Sequence, residues 1–229
     1  MDNILELKNI NKIYGNGEFK TQVLYDVNLN IEKGSFNSII GESGSGKSTL
    51  LNIIGTLDKP TSGEVHINNI RTDSMKRAEL ADLRNQTLGF IFQFHYLLPE
   101  FTAFENILIP YLMKNSKPSK EIVERANELI ELVGLTKVKN NLATKMSGGQ
   151  QQRTAIARAL INNPAIILAD EPTGNLDSDT TEKIYTLLRK VNESFGTTFI
   201  IITHDRRIAE KADRNIEIKD GRINIDILR

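Results

Sequence analysis

The chain has 229 residues, with 29 basic and 29 acidic side chains, 39% apolar residues, no cysteine and no tryptophan. That length holds one large domain or two small ones, and a quarter of charged residues beside this apolar content describes a folded chain rather than a disordered one. Neutrality excludes bulk electrostatic capture of nucleic acid or anionic membrane, and the missing cysteines exclude disulfides, thiolate nucleophiles and cysteine-based metal sites.

The start, MDNILELKNI, carries acids and reads as a strand, not as a signal peptide. Strands are predicted at 4–10, 23–31 and 36–40, and again at 64–67 after a turn containing Pro60 and Gly63. Phe90, Phe92 and Phe94 alternate, as in a strand with one buried face. A helix capped by Ser119 carries Ile122, Ala126, Leu129, Ile130 and Val133 and stops at Gly134. A second helix follows Ser147, with Ala155, Ile156, Ala159 and Leu160 inward. Then come a strand at 165–169, a helix from about Ser178, a strand at 198–203 and a small β end from Arg214. This alternation predicts an α/β domain with a largely parallel sheet and a helical insertion at roughly 94–161. The most apolar stretch, 94–113, is interrupted by Pro99, Glu100, Glu105, Asn106 and Pro110. The expectation is a soluble, cytoplasmic chain that does not itself cross a membrane.

The segment GESGSGKST, from Gly41 to Thr49, fits G-x-x-x-x-G-K-[ST] between a predicted strand and a predicted helix. Gly41, Ser43, Gly44, Ser45 and Gly46 let backbone N–H groups converge on phosphate oxygens at the helix N-terminus, where Thr49 also sits. Lys47 reaches the terminal phosphates, and the Ser48 hydroxyl is a Mg²⁺ ligand candidate. The run IILADE delivers Asp170 and Glu171 at a strand end, Asp170 toward the metal and Glu171 as base toward an attacking water. In Ser147, Gly148, Gly149 and Gln150, glycines again precede a helix. One nucleotide needs only one such loop, so this one serves the nucleotide of a partner copy or is an ordinary helix cap.

With Gln93, the sequence GNLD ending at Asp177, and His204, these motifs occur in the order and spacing found in ABC-transporter nucleotide-binding domains. The chain resembles that family over essentially its whole length. Phe92-Gln93, Leu97-Leu98-Pro99 and the DEPTGNLD run make it similar to the macrolide-exporter and lipoprotein-releasing group, with the cell-division ABC ATPase as a near relative. The resemblance implies a P-loop NTPase core with a mostly parallel sheet, an antiparallel β subdomain and a helical insertion subdomain. It makes 1–229 one nucleotide-binding domain, with a core at about 1–93 and 162–229 and a helical subdomain at about 94–161.

The resemblance also implies that the chain binds ATP with Mg²⁺ and hydrolyses it as a head-to-tail homodimer. Tyr14 stacks on adenine or is a strand-end core residue. Gln93 touches Mg²⁺ and the lytic water, and His204 contacts the γ-phosphate. Asp177 crosses to the opposite subunit, caps the next helix, or does both. An integral membrane permease docks near residues 93–111, Gln93 to Tyr111, and places the chain on the inner face of the cell membrane. Seven of the 14 aromatic residues fall between positions 90 and 111, and Tyr96, Phe101 and Phe104 form either a docking groove or core. The alternative function is a regulatory dimer that signals through a membrane partner without transport, as in the cell-division complex. Nucleic acid is not an expected partner. The pattern departs mildly at Met146, where Leu is commoner, and at Asn37 and Ser38, polar residues expected to weaken the strand before the P-loop. His66 and His95 match no motif.

Overall fold

A computed structural model describes residues 2–228 except 16 and 18; the outermost positions of the single-domain span, Met1 and Arg229, lie outside them. Two sheets carry the molecule. Strands β1 (Asn3–Tyr14), β2 (Thr21–Glu32), β4 (Ser62–Ile67) and β5 (Ile70–Arg71) form an antiparallel sheet in the order β2-β1-β4-β5. The second sheet uses β3 (Phe36–Ile40), β6 (Leu88–Phe92), β7 (Ile166–Asp170), β8 (Thr198–Ile202), β9 (Arg214–Lys219) and β10 (Arg222–Leu228) in the order β10-β9-β3-β8-β7-β6. All its pairings are parallel except β9 with β10. The sheets are tied where Arg214 Nη1 donates to the Asn30 carbonyl (2.5 Å) and the Tyr25 N–H donates to Gly221 (2.9 Å).

The central strands are continuous apolar runs because both faces of a parallel sheet are covered. In β7, Ile166 and Leu168 face helix α1 (Lys47–Ile54) and the antiparallel sheet, whereas Ile167 and Ala169 face the helical side. In β8, Ile200 and Ile202 divide from Phe199 and Ile201 in the same way. Two cores result, one on each side of the sheet. The helical side is built by α3 (Ala103–Leu112), α4 (Lys120–Leu132), α5 (Gly148–Leu160) and α6 (Ser178–Phe195). Among the described residues, no helix is long and apolar enough to cross a membrane.

Asn37 and Ser38 are both buried in β3 and both bond to neighbouring strands. Asn37 Nδ2 donates to the Phe199 carbonyl of β8 (3.0 Å), and Ser38 Oγ donates to Asn215 Oδ1 of β9 (2.6 Å). Each side chain donates one hydrogen bond to a neighbouring strand, which offsets part of the burial penalty, although Asn37 Oδ1 is buried without a hydrogen-bond partner.

The aromatic alternation at 90–94 reads differently in the structure. The fully buried side of β6 carries Ile91, whereas Phe90 and Phe92 are half-buried and Phe94, beyond the strand, is 65% exposed. The reason is the face each side chain takes: Phe90 and Phe92 line an open apolar cavity, whereas Ile91 points into the helical-side core. Helix α2 (Arg77–Thr87) has no sequence signal of the usual kind, since Lys76 stands at its N-cap and only Leu80 and Leu83 are buried. The helix α3 forms despite Pro110, started by a Thr102–Glu105 capping box in which the Thr102 hydroxyl accepts from the Glu105 N–H.

Candidate functional site

The strand register brings the site together. Ile39 pairs with Ile202, Ile202 with Asp170, and Asp170 with Phe92. The carboxyl ends of β3, β8, β7 and β6 thus lie side by side, and Gly41, His204, Glu171 and Gln93 follow them within two residues. Ligand clefts in open parallel sheets form at such ends.

A cavity of about 450 Å³ opens there, lined by Gly41, Ser43, Gly44, Gly46, Lys47, Ser48, Thr49, Asp170, Glu171 and His204 together with Val23 and Ile202. Two glycines are required by geometry. A Cβ on Gly41 would lie 2.2 Å from the Ile218 carbonyl oxygen, and Gly46 has φ 103° at the entry to α1. Helix α1 has no side-chain cap and no acidic residue in its first turn, so its N–H groups face the cavity without a protein anion. An uncapped N-terminus of this kind suits phosphate oxygens. Lys47 folds over its own loop, its ammonium donating to the carbonyls of Gly41 (2.8 Å) and Glu42 (2.7 Å).

Burial pushes the Asp170 carboxyl above its ordinary value, and the adjacent Glu171 charge pushes the same way, against the pull of Lys47. A carboxylate held at such a cost beside the Ser48 hydroxyl is a hard-oxygen donor set that suits Mg²⁺, which takes few protein ligands and keeps waters and phosphates. Glu171 sits at φ 47°, in the left-handed region that non-glycine residues seldom occupy. Its backbone is pinned by an N–H bond to the Ile202 carbonyl (3.0 Å). Its Oε1 lies 2.8 Å from His204 Nδ1, which fixes the proton on Nδ1 when Glu171 is ionised and leaves Nε2 available.

Gln93, Tyr14, Gln150 and Asp177 are not among the residues that line the cavity. Gln93 Nε2 donates instead to Asn175 Oδ1 (3.1 Å). Tyr14 lies at the edge: its hydroxyl donates to Asp58 Oδ2 (2.7 Å), and the Thr49 side chain lies beside the phenol. Ser147 and Gln150 close a reciprocal capping box at the start of α5, while Gly148 and Gly149 abut Leu176 and Thr180. Asp177 caps α6, with Oδ1 accepting from the Thr180 N–H (2.9 Å) and Oδ2 from its hydroxyl (2.7 Å). The turn that opens α5 and the loop before α6 therefore form one surface, away from this chain's own cavity.

Several residues at the site carry no sequence signal. Gln152, fully buried on α5, donates to the Pro172 carbonyl (2.5 Å) next to the strained Glu171. Arg158 clamps the carbonyls of His95 and Tyr96 (2.6 Å each), both of which have positive φ. Burial, then the Arg158 charge, hold His95 below its ordinary pKa, so it is neutral near pH 7.

A second, apolar cavity of about 380 Å³ lies between the core and the helical insertion. Leu57, Leu88, Phe90, Phe92, Ile109, Pro110, Met113 and the stem of Arg158 line it. Tyr96, Phe101 and Phe104 are not in this lining, and Phe104 packs on the helical core instead.

Comparison with known proteins places these features in context. A family model described as ABC transporter matches residues 24–174. A lipoprotein-releasing system ATP-binding protein, LolD 1 of Rhodopseudomonas palustris, is 46% identical over 224 residues, covering 97% of this chain and 99% of that protein. A LolD of Shewanella frigidimarina is 46% identical over 222 residues, covering 97% and 92%. Among solved structures, a dimeric post-hydrolysis state of the ATP-binding cassette MJ0796 bound to ADP and Pi superposes with TM-score 0.89 at 48% identity, covering 98% of each chain. The dimeric structure of MJ0796, described as a bacterial ABC transporter cassette, gives 0.89 at 49%, again covering 98% of each.

Proposed function

The chain belongs to the ABC transporter family as an ATP-binding, ATP-hydrolysing cassette, and from that premise we propose that two copies close head to tail around two nucleotides to drive a membrane permease that releases lipoproteins. The observation that carries this reading is the pairing of one open helix N-terminus, α1, with a second glycine-led turn, at α5, that lies outside the same chain's cavity. A partner copy related head to tail would bring Ser147, Gly148, Gly149 and Gln150 onto the phosphates held by Gly41, Ser43, Gly44, Ser45, Gly46, Lys47, Ser48 and Thr49. Asp177 would meet the partner across the same seam.

Within one site, the N–H groups of the P-loop take the phosphate oxygens, and Lys47 exchanges its two carbonyl partners for them. Ser48 and Asp170 would hold Mg²⁺, with Gln93 joining them by giving up its bond to Asn175. When bound, Mg²⁺ neutralises charge on the terminal phosphates and orients them. Glu171 accepts a proton from the attacking water, held in place by its strained backbone and by His204 Nδ1–H. His204, which lines the same cavity, would contact the γ-phosphate.

The apolar cavity beside β6 is the seat for a permease segment, and it joins the nucleotide site to the helical insertion at about 94–161, which acts as one unit. Membrane association follows from that partner. The relatives named for lipoprotein release favour the transporting reading over a purely regulatory dimer.

Glu171→Gln tests the assignment. It should bind ATP, accumulate as a dimer on gel filtration, and lose turnover by about a hundredfold or more. Turnover near that of the unaltered protein would remove Glu171 from the role of base.

A further inference from the structure

Lys12 is a lysine in an unusual place. It lies on β1 with only 8% of its surface exposed, and its ammonium is fully engaged. It donates to Asp58 Oδ1 (2.7 Å) and to the Lys59 carbonyl (2.7 Å), and it sits 4.7 Å from the centroid of the Tyr14 ring. The other oxygen of the same carboxylate, Asp58 Oδ2, accepts the Tyr14 hydroxyl at 2.7 Å. One aspartate therefore binds the phenol at its tip and a cation at its face. The Lys59 N–H holds Asp58 Oδ1 in turn, at 2.8 Å. Tyr14 is nevertheless 41% exposed, and the side chain that neighbours its phenol from α1 is Thr49, a residue of the cavity wall.

This is more restraint than a strand-end tyrosine needs for packing. A buried ammonium loses hydration that two hydrogen bonds and a ring face must replace. What it obtains is a ring with one face occupied and its rotation fixed at the edge of a phosphate-binding cavity. A flat ligand group pays less ordering entropy on a ring already held in place.

We propose that Lys12 and Asp58 are positioning residues that fix the Tyr14 ring as a platform for the base of the bound nucleotide, the base lying on the face opposite the Lys12 ammonium. This rests on reading the cavity as the nucleotide site and Tyr14 as its stacking residue. Lys12 and Asp58 act through Tyr14 and do not touch the phosphates.

The test separates base from phosphate. Binding of Mg-ATP and of Mg-tripolyphosphate is measured by calorimetry on the full chain in the Glu171→Gln background, so that nothing is consumed. Tyr14→Ala should weaken ATP about tenfold, in line with a base–aromatic stack, and leave tripolyphosphate unchanged. Asp58→Asn and Lys12→Met should each weaken ATP about threefold to fivefold, again sparing tripolyphosphate. Lys12→Arg should restore ATP binding, since a guanidinium also rests on an aromatic face. In the catalytically active protein the same losses should appear in KM and not in kcat. If Tyr14→Ala weakens ATP while Asp58→Asn and Lys12→Met do not, the positioning role is overturned and the stacking reading stands. If Tyr14→Ala has no effect, both fall. If tripolyphosphate weakens in parallel with ATP, the pair merely supports the fold around the P-loop, and the proposal is overturned.

Discussion

Two helices of this chain start from glycine- and serine-rich turns, and they end their N-termini in opposite ways. At α1 the N-cap is Gly46, which has no side chain to offer, and the first turn holds no acid. At α5 the N-cap is Ser147, whose hydroxyl accepts from the Gln150 N–H while Gln150 Oε1 accepts from the Ser147 N–H. The first turn is left open to an external anion; the second satisfies itself. Composition looks alike in both, so the difference lies in whether a side chain returns to the helix. On the proposed reading, the open turn would take phosphate from its own chain's cavity, and the closed one would contribute only when a partner copy brings phosphate to it.

The sharpest way to break this comparison is Ser147→Asp. Aspartate caps a helix as well as serine does, so the melting temperature should stay within about 2 °C. Its charge would nonetheless face a partner's phosphates, and turnover should fall by about a hundredfold while a single chain still binds ATP. Unchanged turnover would leave α5 with a cap and nothing more. A smaller effect is expected at the apolar cavity. Met113 is three-quarters exposed on its lip, so its replacement should not harm the fold. Met113→Asp should weaken copurification with the permease about tenfold and move the turnover of the isolated chain by less than about twofold. Phe101→Ala, outside that lining, should leave assembly nearly unchanged. If Phe101 mattered and Met113 did not, the docking surface would lie further along the insertion.

The contrast between the two turns also explains what could be read without coordinates. The P-loop and the Asp170–Glu171 pair were legible because each stands at the end of a strand, and parallel register carries strand ends to one place, whereas His204 was legible through the family resemblance. Ser119, Ser147 and Asp177 were legible as caps because capping needs a residue type at a fixed offset. Helix α2 was not, because its N-cap is Lys76 and its face buries only two leucines. The aromatic alternation pointed to the strand but not to its exposure, because Phe90 and Phe92 face an open apolar cavity and alternation alone does not tell a cavity from a core. Lys12, Gln152 and Arg158 left no pattern, since their partners Asp58, Pro172, His95 and Tyr96 lie 20 to 63 positions away, and Asp58 left none for the same reason toward Lys12 and Tyr14.

The smallest effect concerns the cost of leaving the first site ready. Asp170 is half-buried with its pKa raised from 3.8, chiefly by burial and then by Glu171. A carboxyl whose folded pKa lies above its unfolded one opposes folding when ionised. The penalty is absent below about pH 3.8, grows as pH rises toward the folded value, and is fully present above it. Asp170→Asn removes it. Because the group is only half-buried, solvent screens much of the interaction, and the gain should be about 1–3 °C in melting temperature at pH 7. The gain should shrink toward zero as the pH is lowered to about 4, while Mg²⁺-dependent turnover is lost at every pH. Added Mg-ATP should reverse the order of stability, raising the melting temperature of the unaltered protein above that of the variant, since only the carboxylate is repaid by the cation. A variant less stable than the parent at pH 7 without nucleotide would mean that Asp170 is held by favourable contacts and not by strain. The first turn would then lose its standing as the one kept open at a cost, and the comparison with α5 would rest on the caps alone.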